Sequence, residues 1–242
     1  GMIDTVDRYH GSVLRFSGDG LTAWFTGKEC TLRAVTAALA MQAVMRAVMA
    51  VLPDLHLKIG IGQGLTRRFT PGDPTLGMYD VLTGPAIDQM NRAEKLAHPG
   101  EIIISSEVTN TIGDTFDLKP TADPNFWQIK PTIFANKPES AERWTSLRWL
   151  DYIDHAVQLV ENCRPYLPPP IYERLEGGRG GYMTDIRMVT PLFIHFTGLD
   201  YSAPDADYKL DELVRVAQSH IREQGGYLNE VEVGDKGSVL VG

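Results

Sequence analysis

Cysteine is scarce in this sequence. Cys30 and Cys163 are the only two in 242 residues, and they lack metal-ligand spacing. That argues against a cysteine-built metal site and fits a reducing, cytoplasmic setting. No apolar run approaches the length of a membrane span. The start carries Asp4 and Asp7 and no apolar stretch of the kind a secretory leader needs. Positive charge is also short: 23 Lys and Arg face 31 Asp and Glu, a formal net charge of −8. This weighs against nonspecific binding to nucleic acid or an anionic membrane, though not against a small anion held by a few local cations. What the chain does have is a 43% hydrophobic composition, enough for one large or two modest cores.

The most informative feature occurs twice. Residues 10–20 read His-Gly-Ser-Val-Leu-Arg-Phe-Ser-Gly-Asp-Gly, and residues 225–236 read Gly-Gly-Tyr-Leu-Asn-Glu-Val-Glu-Val-Gly-Asp-Lys. Each copy is a glycine turn, an extended run, and a Gly-Asp tip followed by a second extended run. The pattern predicts a β-hairpin presenting one carboxylate, Asp19 or Asp235. An internal repeat of this kind implies two related domains.

Between the copies the elements alternate. Residues 12–17 and 21–26 form the arms of the first hairpin. An Ala- and Met-rich helix over 32–52 stops at Pro53. Leu55 to Leu65 reads as a strand by alternation. Its Gly60, Gly62 and Gly64 do not open a helix, so they make no dinucleotide fingerprint. Residues 66–78 read as a Pro-, Gly- and Arg-rich loop. A strand over 79–82, a helix over 86–97, a strand over 101–105, a short helix over 106–113 and a strand over 127–130 complete the unit. Trp144, Leu147, Leu150, Ile153, Val157 and Val160 have helical spacing, and a proline-rich segment starts at Pro165 and closes at Gly177-Gly178. A new strand over 189–196 and an amphipathic helix over 210–222 lead to the second hairpin. The order predicts an α+β fold with a mainly antiparallel sheet and helices packed on it. The expected domains are 1–130, a helical linker over 131–185, and a second copy beginning at 186–242. Gly1 before Met2 reads as a cloning remnant, and the last strand stops early, so the chain reads as a piece of a longer protein.

Taken in order, these motifs resemble the class III nucleotide cyclase homology domain. The first copy carries Arg-Phe-Ser-Gly-Asp-Gly at 15–20, Ile-Gly-Ile-Gly at 59–62, Gly-Pro-Ala-Ile-Asp-Gln-Met-Asn-Arg at 84–92 and Pro-Gly-Glu-Ile-Ile-Ile-Ser at 99–105. The second carries Arg-Met-Val-Thr-Pro-Leu-Phe-Ile-His-Phe at 187–196 and Gly-Asp-Lys-Gly at 234–237. Tandem copies joined by Leu-Pro-Pro-Pro look most like the soluble, bicarbonate-regulated adenylyl cyclase branch and its bacterial relatives. The resemblance implies a ferredoxin-like cyclase fold and a lyase that turns a nucleoside triphosphate, ATP more than GTP, into a cyclic nucleotide and diphosphate. Two Mg²⁺ or Mn²⁺ ions, held by a strand carboxylate and a hairpin carboxylate, would supply the chemistry. Each site would need a second cyclase domain, in the same chain or in a homodimer, with no nucleic acid and no membrane as partner.

The resemblance assigns metal positions to Asp19 and Asp235 and, in place of the strand carboxylate, to His195. Arg92 takes the transition-state arginine position and Asp88 stands where the family has asparagine. Arg15 takes the purine-reading lysine position, and Val81 takes the other purine-reading position. An acidic Asp88 repels a triphosphate, and His195 is a poor ligand for a hard cation. The chain is therefore expected to be inactive alone. The alternative is a noncatalytic regulatory or dimerisation module in which Arg15 and Arg92 bind a small anion such as bicarbonate. The strand and helix of residues 187–222 are also the elements that the first copy lacks, so they are candidates to complete it, within one chain or by exchange.

Overall fold

The central strand of the first unit is a run of three isoleucines and a serine. In the computed structural model, which describes residues 1–130, 155–178, 188–234 and 237–242, β8 (Ile102–Ser105) is buried along its whole length. A strand alternates its faces, so a continuously apolar strand has to be covered on both sides. Ile102 and Ile104 pack with Val35 and Ala38 of α2 (Cys30–Met49) and Val108 and Ile112 of α4 (Ser106–Ile112). Ile103 packs on the other face with Ala93 and Ala97 and with Phe126.

The chain divides into two compact units. The first comprises Gly1–Leu65 and the described residues from Pro85 to 130; the second comprises Thr66–Gly84 and the described residues from 155 onward. In the first, α1 (Met2–Arg8) precedes the hairpin of β1 (Ser12–Ser17) and β2 (Gly20–Trp24). After α2 comes β3 (Ile59–Ile61), which runs parallel to β8. Parallel neighbours need a crossover, and α3 (Pro85–Leu96) returns the chain for it. With β9 (Leu118–Pro120) and β10 (Phe126–Ile129) the sheet has the order β3-β8-β10-β9. The hairpin β1–β2 is a separate two-stranded sheet.

The second unit is built on a sheet of order β11-β13-β12, from β11 (Phe193–Phe196), β12 (Glu230–Gly234) and β13 (Gly237–Val241). Two short helices, α5 (Ala156–Cys163) and α6 (Pro169–Glu176), precede it, and α7 (Ala206–Glu223) lies between β11 and β12. The remaining strands come from far upstream: β4 (Arg67–Phe69), β5 (Gly72–Asp73), β6 (Gly77–Met78) and β7 (Val81–Thr83). Phe69 and Val81 share a core with Leu210, Val214, Leu228, Val231 and Leu240. Arg67 donates from its guanidinium to the carbonyls of Tyr201 and Ala203, both at 2.7 Å. Gln218, 3% exposed, accepts from the Asp73 N–H at 2.9 Å and donates to the Gly77 carbonyl at 2.7 Å. A buried amide satisfied at both ends fixes register as well as adding stability.

The fold is α+β with mainly antiparallel pairing, as the element order predicts. Several expectations are corrected. The strand read over 55–65 is only Ile59–Ile61. Residues 66–78 are three short strands rather than a loop. These strands are two or three residues long, too short for a period to show; β4 pairs with β7 and β5 with β6, while the side chains that pack on them lie more than a hundred residues away. The strand and helix of the second copy do not complete the first unit within one chain: β11 pairs with β13, the hairpin of its own copy. The chain does contain a helix long and apolar enough to cross a bilayer by length and composition: α2, with a mean hydropathy of 1.3. Its Val35, Ala37 and Ala38 are buried in the first unit, as in a core helix. The helical spacing over 144–153 and most of the expected linker fall outside the described residues, as does Asp235.

Candidate functional site

Asp19 sits at the tip of a tight hairpin. Ser17 pairs with Gly20, which leaves Gly18 and Asp19 as a two-residue turn. Gly18 adopts φ +60, the left-handed conformation that such turns demand and glycine tolerates. Asp19 is exposed. Arg15, half-buried on β1, lies opposite Thr22 next to an irregularity in the ladder. Among the described residues no group of three or more His, Cys, Asp or Glu side chains is placed to hold a metal ion. A hard divalent cation takes six or more oxygen ligands, a demand that Asp19 alone does not meet.

The second hairpin closes on Gly234 paired with Gly237, and residues 235 and 236 lie between them in sequence. His195, exposed on β11, pairs with Val239. A Cβ at Gly237 would lie 2.2 Å from the His195 Nε2, so the imidazole lies directly over this glycine. Gly237 is also at φ +100. His195 is thus held beside the start of β13.

Helix α3 carries the other two predicted residues, Asp88 and Arg92, one turn apart. Two glycines set its position. A Cβ at Gly60 would come within 2.3 Å of the Glu94 nitrogen, and one at Gly62 within 2.3 Å of the Ala86 carbonyl. The helix therefore lies backbone to backbone on β3. Asp88, Arg92, Ser105, Glu107, Asn125 and Phe126 line a pocket of about 250 Å³ below it. The guanidinium of Arg92 is engaged there. Its Nη2 lies 2.6 Å from Asp123 Oδ2, and its Cζ lies over the Phe126 ring, 5.5 Å from the centroid. Asp123 is only 13% exposed. A tight turn holds it, with the Asn125 N–H donating to Asp123 Oδ1 at 3.1 Å and the Asp123 N–H donating to Thr121 Oγ1 at 3.2 Å.

The sequence-predicted residues thus fall into separate places. Asp88 and Arg92 share one pocket; Asp19 and Arg15 share one hairpin; Asp235 lies outside the described residues. Val81 is 1% exposed and belongs to a core. The residues missed from sequence are Asp123, Ser105 and Phe126. The Thr121-x-Asp123-x-Asn125 spacing was a legible turn signal, but nothing local says that the turn meets Arg92.

The chain matches no protein-family model and no curated protein. Solved structures of nucleotide cyclases resemble it. The adenylyl cyclase CyaB from P. aeruginosa aligns with a TM-score of 0.47 at 21% identity, over 54% of this chain and 77% of that one. The guanylyl cyclase Cya2 aligns with a TM-score of 0.46 at 23% identity, over 57% and 78% of the two chains. The guanylate cyclase domain of RhGC from Catenaria anguillulae, determined with GTP, aligns with a TM-score of 0.44 at 17% identity, over 52% and 75%.

Proposed function

We propose that this chain is a cytoplasmic piece of a class III nucleotide cyclase, related to the enzymes that convert ATP or GTP to a cyclic nucleotide, and that by itself it forms no product. The observation that carries this reading is the pairing, within one unit, of a Gly-Asp hairpin with a helix that presents Asp88 and Arg92 one turn apart in a pocket. This is the set of parts the cyclase resemblance calls for. ATP is preferred over GTP as the parent's substrate on the same resemblance.

The chemistry at this pocket is poor for catalysis. Arg92 stabilises transition-state charge only if its cation is available, and Asp123 already neutralises it at 2.6 Å. Asp88 adds a second carboxylate where a neutral amide suits a polyphosphate. Mg²⁺ or Mn²⁺ would belong to a complete site formed with a second cyclase module. Asp19, Asp235 and His195 are the residues that the reading places near such ions.

The reading is tested by titrating ATP and GTP with Mg²⁺ into wild type and Asp88→Asn, followed by calorimetry. Removing one negative charge near a triphosphate is worth about 1 kcal/mol in a partly exposed site, so Asp88→Asn binds roughly fivefold tighter. Equal affinity in both proteins contradicts the placement of Asp88. The alternative, a regulatory module sensing bicarbonate through Arg15 and Arg92, requires the anion to compete with Asp123 for Arg92. Heats of bicarbonate binding that are equal in wild type and Arg92→Ala remove it.

A further inference from the structure

The pocket below α3 holds a group that neither the fold nor the cyclase reading explains. Ser105 is among the residues that line it, and its hydroxyl is buried with no hydrogen-bond partner among the described residues. Ser105 itself is 1% exposed. It occupies the N-cap position of α4, yet its side chain makes no cap hydrogen bond. A buried hydroxyl is normally satisfied, so an orphan on a residue at the wall of a cavity points to a missing partner. The Ser106 hydroxyl beside it is satisfied, donating to the Asn125 carbonyl at 3.0 Å.

The charge around this hydroxyl is negative. Among the described residues lining the pocket Arg92 alone is basic, and Asp123 neutralises it. Asp88 and Glu107 remain, and neither has an ion pair among the described residues. Each stands in the first turn of its helix, where the helix dipole tolerates a carboxylate. The dipole explains why the carboxylates can be there. It does not explain the hydroxyl.

We propose that this pocket is a site for a primary ammonium group. Two carboxylates and a hydroxyl oxygen offer three acceptors, which an ammonium with its three N–H donors can satisfy together. The buried Phe126 ring gives the apolar wall that a short alkyl stem needs. A volume of about 250 Å³ admits such a stem as well as the head. The ammonium belongs to a small amine or to the lysine of a partner protein. This inference does not rest on the cyclase reading.

The test is calorimetric titration of the whole chain with n-butylamine and, separately, with butyrate, an anion of the same carbon number. Butylamine binds and butyrate does not. Ser105→Ala and Glu107→Gln each weaken butylamine roughly tenfold, the size of a hydrogen bond to a charged group. Ser105→Ala also melts at or above the wild-type temperature, because it removes an unsatisfied hydroxyl. A lower melting temperature with unaltered butylamine affinity means the hydroxyl is structural and overturns the proposal. So does equal binding of butylamine and butyrate, or of butylamine to wild type and both variants. A short peptide with one lysine between glycines distinguishes the sources: tighter binding than butylamine assigns the site to a protein side chain, and weaker binding to a free amine. Nucleotide affinity, measured in the same variants, reports on the cyclase reading independently.

Discussion

Gly60 and Gly62 show how a residue can be visible in a sequence and still be misjudged. Their spacing invites comparison with nucleotide-binding glycines and fails it, since no helix opens after them. Their use is steric: each leaves room for the backbone of α3 on β3. Gly62→Ala places a Cβ 2.3 Å from the Ala86 carbonyl, a fixed backbone atom. It should destabilise the chain by about 1–3 kcal/mol, the usual cost of overpacking, measured by urea denaturation. An unchanged midpoint refutes the backbone contact. Arg92 is the opposite case, since its position in the motif is legible while its partner is not. Asp123 lies thirty-one residues downstream in a loop, and only the fold brings the two together. Arg92 is 64% exposed, so the pair adds little stability. Asp123→Asn should therefore cost less than about 1 kcal/mol by the same denaturation, and a larger loss contradicts this account of the pair.

At the scale of elements, long periodic segments were readable and short paired ones were not. Helix α7 follows apolar spacing, α2 its Ala- and Met-rich composition up to Pro53, and α3 the breakers at its two ends, while both hairpins follow their glycine turns. β7 overlaps the strand read over 79–82, whereas β4 to β6 were lost because they are two or three residues long and pack on α7 and the β11-β13-β12 sheet, which their own sequence does not announce. Phe69→Ala tests their contribution. It empties a core position 5% exposed and should cost about 3–5 kcal/mol. A loss below 1 kcal/mol would mean that the segment is not part of this core. The turn between β5 and β6 adds a pH dependence. The Thr75 hydroxyl and N–H both donate to Asp73, at 2.6 and 2.8 Å, and hold its carboxyl below the ordinary value of 3.8. A carboxyl depressed in the folded state stabilises the fold above its ordinary value and loses that contribution as pH falls through the folded one. The decline in stability below pH 3.8 should be shallower in Asp73→Asn than in wild type. Parallel acid limbs contradict the assignment.

For the whole molecule, the α+β class was legible from the order of elements, and the two Gly-Asp hairpins do fold as hairpins. The candidate site was legible only in part, since motif positions give which residues but not which charges are already spent. Asp88 and Arg92 meet in a pocket whose cation is neutralised, and Asp19 stands on a separate two-stranded sheet. The central claim of the proposed function is that this chain carries cyclase-like parts without a working site. The most direct measurement is an assay of the purified chain with ATP and with GTP, each with Mg²⁺ and with Mn²⁺, against a boiled control. The account predicts no cyclic AMP or cyclic GMP above that control in any of the four conditions. Cyclic nucleotide that accumulates with time and protein concentration contradicts it.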